Sequence, residues 1–180
     1  MRYAMAGTWW PERLTISDDA GTARFEVRNC PGFSIMLSLT AASGDEEIAQ
    51  IKRRRGGSFQ VLVRGEEAGL VRCQKADRYD VQSALGPLAA EGSVAAGRYS
   101  LTRDGLVMAT VSRQIANDVR QTQEISADIG SGDAVALLAT VLAIEAVRYE
   151  RDGRVFNPRA LLDLPGAVLL GLLNPFNYGQ

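Results

Sequence analysis

The chain contains no histidine. That absence removes the commonest general base and the commonest ligand for transition metals near neutral pH. Cysteine is scarce, since Cys30 and Cys73 stand far apart with no CxxC spacing, which argues against a zinc site. Both lie in or beside apolar strand patterns and are expected to be reduced rather than joined in a disulfide. Neither GxGxxG nor the P-loop pattern occurs, so no nucleotide phosphate loop is expected. No apolar run reaches the roughly 20 residues that cross a bilayer as a helix. The opening segment, MRYAMAGTWWPER, lacks a continuous apolar core, so a secretory leader is not expected and the expected compartment is the cytoplasm. A net charge of −1 excludes a globally basic nucleic-acid binder while leaving room for a local patch. No cofactor and no metal are expected.

What the sequence does have is one strongly apolar segment, AVALLATVLAIEAV at residues 134–147. It holds one hydroxyl, Thr140, and one charge, Glu145, and no Gly or Pro. As an α-helix it would be about 21 Å long. Thr140 and Glu145 lie five apart and do not form a polar face, so this helix is expected to be buried all round. Asp133 is the expected N-cap, with Arg148 and the polar residues after it closing the other end.

Nearly everything before the helix alternates with the period of a strand. Leu14 and Ile16 share a face, as do Ala23, Phe25 and Val27, and then Phe33, Ile35, Leu37 and Leu39. Further strands are expected at 48–53, 59–63, 67–74, 78–83, 88–94, 97–102, 106–113 and 121–128, with a short one at 1–7. Asp104-Gly105 is a strong hairpin signal, Gly65-Glu66 is a second expected two-residue turn, and Gly86-Pro87 is expected to break a run. About twelve short antiparallel strands followed by one fully apolar helix point to a mainly β fold. The expected form is a closed antiparallel barrel around the central helix. The helix is apolar on every side because the barrel surrounds it, so the helix and the strand count explain each other.

The order of these motifs resembles the LURP-one-related family, in the superfamily of the Tubby C-terminal domain and the phospholipid scramblases. The matching stretches are RYAM, LTISDDAGTARFEV, IAQIKRR, LVRCQKADRYDVQ, GRYSLTRDGLVMATVSRQ and QTQEISADIGSGDAVALLATVLAIEAV. Together they cover residues 1–147, about four-fifths of the chain. The resemblance implies a twelve-stranded barrel threaded by the apolar helix. Two features depart from it. Glu145 stands where the family helix often carries aspartate, and 33 residues follow the helix, 148–180, where the family usually stops. The expected organisation is therefore a barrel domain, 1–147, and a C-terminal tail, 148–180.

Catalysis is hard to assemble from these residues. Serine and threonine have no histidine to activate them, and the acid pairs Asp18-Asp19 and Glu46-Glu47 fall at turns, where solvation explains them. The chain is expected not to be an enzyme. The clearest charge feature is basic: Lys52, Arg53, Arg54 and Arg55 in succession, then Arg72, Lys75 and Arg78. Residues 52–78 hold eight bases against three acids. A solvated rim that keeps a barrel edge soluble is one reading. The other is an anion site, because arginine offers bidentate geometry to phosphate. Relatives of the Tubby type bind phosphoinositide head groups through basic barrel residues, so the resemblance implies anionic phospholipid or a membrane surface as partner. An acidic protein partner fits the same charge. Nucleic acid ranks well below, for want of a stacking platform.

The tail carries a second signal, ALLDLPGAVLLGLL at 160–173, ended by Asn174-Pro175-Phe176. Leu161, Leu162, Val168, Leu169, Leu170, Leu172, Leu173 and Phe176 must be covered by something. The options are the barrel's own surface, self-association or a protein partner, and membrane-surface contact. Two functional classes follow. The first is a non-catalytic binding module peripheral to a membrane. The second is an assembly protein that oligomerises or docks through its tail.

Overall fold

The structure, a computed structural model, describes residues 1–7, 14–29, 36–44, 46–75, 78–115, 123–129 and 133–151. By its contacts the chain divides into two units, Met1–Arg148 and Tyr149–Gln180. The first unit is mainly β, one antiparallel sheet and one helix. Its strands are β1 (Arg2–Gly7), β2 (Leu14–Asp18), β3 (Ala23–Asn29), β4 (Met36–Ala41), β5 (Glu47–Arg54) and β6 (Ser58–Val63). They continue as β7 (Glu66–Lys75), β8 (Arg78–Ser83), β9 (Gly86–Ser93), β10 (Arg98–Arg103), β11 (Leu106–Ile115) and β12 (Gln123–Ile129), before α1 (Ala134–Arg151). Each strand pairs with the next in sequence, and β1 pairs with β12 as well as with β2.

The period-two pattern sets which side of each strand is dry. Ile51 faces Val61 across β5 and β6, Phe59 faces Val71, Val71 faces Val81, and Val81 faces Leu88. These residues are fully or almost fully buried, as are Met5, Ile16, Leu39 and Leu101 elsewhere on the same face. Directly opposed apolar side chains on one face are the unit of sheet stabilisation. β11 carries a bulge, because Leu101 pairs with Ala109 and Thr102 with Val107. Met108 is the extra residue, and it is buried together with Ala109.

α1 meets this face. Leu137, Leu138, Ala139, Val141, Leu142, Ala143 and Ile144 have no exposed surface, so no side of the helix is wet over these two turns. Thr140 satisfies its hydroxyl by donating to the Ala136 carbonyl at 2.8 Å. Asp133 caps the start, its Oδ1 accepting from the Val135 and Ala136 N–H groups at 2.9 and 3.2 Å.

Several expectations need correction. The helix runs four residues beyond 147, to Arg151, and Arg148 is a buried residue within it rather than a solvated terminal cation. The β6–β7 turn is Arg64-Gly65, with Val63 paired to Glu66. Both central residues have positive φ, 51° and 82°, and a two-residue turn of that twist wants glycine second. Gly86-Pro87 does not break a run but opens β9, where Pro87 pairs with Gln82. Cys73 is a half-buried residue of β7 and forms no disulfide among the described residues. Cys30 and the expected strand start at 33–35 lie outside the described residues.

Candidate anion-binding rim and buried ion cluster

β5 ends in Lys52, Arg53 and Arg54, and Arg55 opens the turn to β6. Residues opposite one another in an antiparallel pair share a face. Arg53 opposes buried Phe59 and so has the inner parity, yet it stands exposed at the strand end. Arg54 opposes Ser58, and Ser58 opposes Arg72 on β7. Arg54 and Arg72 therefore flank one serine on the outer face, two strand spacings or roughly 10 Å apart at the backbone. Asp80 on β8 is next in the row, opposite Arg72.

An open hollow of about 500 Å³ lies here, lined by Arg54, Arg55, Ser58, Gln60, Glu67, Leu70 and Arg72. The Arg54 guanidinium is held in place: its Nε donates to Gln60 Oε1 at 2.9 Å and its Nη2 to the same oxygen. Gln60 in turn donates to Glu67 Oε2. A neutral amide thus orients Arg54 without neutralising it, and the guanidinium retains donors for a second acceptor. What the hollow offers chemically is three arginines and a hydroxyl around a space open to water, with the Glu67 carboxylate at its edge held by Gln60.

Of the residues singled out by charge, the fold gathers Arg54, Arg55 and Arg72 in the hollow. Lys52 lies on the same outer face opposite Gln60, one pair inward, while Arg78 is exposed at the start of β8 and its backbone pairs with that of Lys75. Ser58, Gln60 and Glu67 escaped notice because each belongs to an ordinary alternating strand, and only the cross-strand register joins them to the arginines. The tail residues Leu161, Leu162, Val168, Leu169, Leu170, Leu172, Leu173 and Phe176 lie outside the described residues.

A second polar constellation is internal. Glu145, 0% exposed, accepts at one oxygen from Arg113 Nη1 at 2.8 Å and from Arg148 Nε at 2.9 Å. Arg113, 9% exposed, also donates from Nη2 to the Ala95 carbonyl at 2.6 Å and more weakly to the Val94 carbonyl at 3.4 Å. Gly97 makes room for it: a Cβ there would stand 2.8 Å from the Arg113 Cβ. The buried Tyr99 hydroxyl has its pKa pushed well above the usual tyrosine value, first by burial and then by the Glu145 charge. The sequence held a signal for this cluster. Ala109, Val111 and Arg113 share one parity on β11, so an arginine on the inner face was available to a lone glutamate in an apolar helix. The Glu145 carboxylate has no exposed surface, and its bond to Arg113 ties α1 to β11.

The fold and site thus define a mainly β protein with a helix buried on every side from Leu137 to Ile144 and an arginine-lined hollow on its outer face. No family model and no curated protein matches the chain. Among solved structures it is similar to the X-ray structure of an Arabidopsis thaliana protein, AT5G01750, with 15% identity and a TM-score of 0.55. The match covers 82% of this chain and 91% of that one. That neighbour belongs to the LURP-one-related family, and at this identity the likeness concerns the fold.

Proposed function

We propose that the chain is a non-catalytic binding module of the LURP-one-related kind, whose sheet closes as a barrel around α1. Its ligand is the phosphate of anionic lipid head groups, taken at the Arg54–Arg55–Arg72 hollow. One observation carries the reading: Arg54 and Arg72 flank Ser58 on an open outer face, and Arg54 is pre-oriented by Gln60. Arginine pairs suit phosphate because each guanidinium presents two parallel donors. The exposed Arg53–Arg55 run, with half-buried Lys52 beside it, adds attraction to a negatively charged surface, roughly 1 kcal/mol per cation close to it. The module is thus cytoplasmic and peripheral to a membrane. The apolar stretch at 160–173, in the separate second unit, supplies another contact, to the membrane or to a protein partner. Two weak contacts on one chain reinforce each other.

Vesicle flotation tests the reading. The full chain is expected to float with vesicles rich in phosphatidylserine at low salt and to sink with neutral vesicles. Sinking with both removes the lipid ligand. No described helix is long and apolar enough to cross a membrane.

A further inference from the structure

Every strand pairing is antiparallel, so successive turns alternate between two ends of the sheet. α1 begins at the end that carries the β2–β3, β4–β5, β6–β7 and β10–β11 turns. Exposed acids collect there: Asp19, Glu46, Glu47, Glu66 and Asp104, with Asp133 at the helix start. Bases at that end are fewer: Arg24 pairs with Asp18 at 2.7 Å, Arg103 donates to the Leu85 carbonyl at 2.6 Å, and Arg2 and Arg64 are exposed. The opposite end carries the β5–β6, β7–β8 and β9–β10 turns. Here the exposed charges are Arg53, Arg54, Arg55, Arg72, Arg78 and Arg98, against few acids such as Asp80 and Glu91. Glu145 reaches the carbonyl-bound Arg113 beside the β9–β10 turn, so α1 runs from the acidic end to the basic end.

This polarity complements the helix, whose dipole places about half a positive charge at its start and half a negative charge at its end. The magnitudes separate two causes. Half a charge would be offset by a single side chain, whereas the side chains named leave an excess of three acids at one end and four bases at the other. The surplus leaves the described part of the chain with two exposed ends of opposite sign that fit each other.

We propose that the basic end of one copy docks on the acidic end of a second copy, head to tail. This rests on reading the rim as an anion-binding surface and names the carboxylate end of another chain as its protein ligand. The contact is heterologous, so it grows into rings or open filaments rather than closing as a two-fold dimer. Exposed arginine–carboxylate pairs act mainly through steering and register. The association is therefore weak and is lost when salt shortens the screening length.

Sedimentation velocity of the full chain over a concentration series tests this at about 20 mM and about 300 mM salt, where screening differs several-fold. Three proteins are compared: the wild type, an acid-end variant (Glu46→Lys with Glu66→Lys) and a basic-end variant (Arg55→Glu with Arg78→Glu). The wild type is expected to sediment faster with concentration at low salt and to return to monomer at high salt. Each variant alone stays monomeric, and their equimolar mixture associates again, because every end then meets its opposite. That rescue also shows that both variants are folded. A wild type that is monomeric throughout, or variants that associate alone as well as the wild type does, overturns the contact. Flotation separates the two readings. A monomeric wild type that still floats with anionic vesicles retains the rim as a lipid site and loses this contact. A self-associating chain that ignores such vesicles does the reverse.

Discussion

Glu145 stands with no exposed surface between two guanidinium groups, and its loss would remove the carboxylate that balances their charge. Replacing a buried ion pair by matched apolar residues is often tolerated, but removing one partner leaves an uncompensated charge. Glu145→Gln is therefore expected to lower unfolding free energy by about 3–5 kcal/mol in urea melts. Glu145→Asp, which keeps the charge, should cost less. Tyr99 gives the cluster a pH signature. Its folded-state pKa lies well above the usual value of 10.0, so the unfolded chain gives up this proton first as pH rises. Stability is then unaffected by this group below about pH 10 and falls as pH climbs above it. Tyr99→Phe should remove that decline from the alkaline limb of a stability profile, and an unchanged slope would show that another group sets it. At this scale the sequence was partly legible. Thr140 and Glu145 stood out as the polar residues of the helix, but Arg148 reads as a terminal cation until the helix is seen to continue past it. The partner in β11 could be named only by following parity through 109, 111 and 113.

The β6–β7 hairpin shows how turn chemistry decides an element. Arg64 sits at φ 51° and Gly65 at 82°. A side chain in the left-handed region costs roughly 1–2 kcal/mol, which asparagine bears better than arginine. Arg64→Asn is expected to raise stability by about 0.5–1 kcal/mol, since Asn-Gly is the preferred pair for this turn. Gly65→Ala should lower it by about as much or more. Paired thermal melts check both signs, and a stabilising Gly65→Ala would mean the turn is not of this kind. Asp104-Gly105 has the same conformation, with φ 51° and 77°, and was legible because Asp-Gly is an unambiguous pair. Arg64-Gly65 was read one residue late because Gly65-Glu66 satisfies the same loose pattern, and only the Val63–Glu66 pairing fixes the register. α1 was the easiest element to read. An apolar surface on every side leaves a helix one environment, and the buried run from Leu137 to Ile144 supplies it. Its last four residues were not legible, because charge in Arg148 and Glu150 mimics a solvated end.

For the molecule as a whole, the alternating strands and the unbroken apolar helix carried most of the fold. The twelve strands fall close to where their periodicity put them, because one-face burial leaves little freedom of register. The rim was half legible. Four consecutive bases are visible in any reading, but the grouping of Arg54 and Arg72 around Ser58 exists only once β5, β6 and β7 are paired. The separation of charge between two ends was not legible at all, since it follows from the alternation of turns rather than from any local run. Binding at the rim is the central claim, and flotation of charge-reversed proteins tests it most directly. The variant Arg54→Glu with Arg72→Glu alters the hollow, while Arg98→Glu with Arg103→Glu removes comparable charge from β10. The expected result is loss of flotation with phosphatidylserine-rich vesicles for the first variant, with most of it kept by the second. Equal loss in both would mean that the vesicles respond to overall charge, and the hollow would then have no claim to be the site.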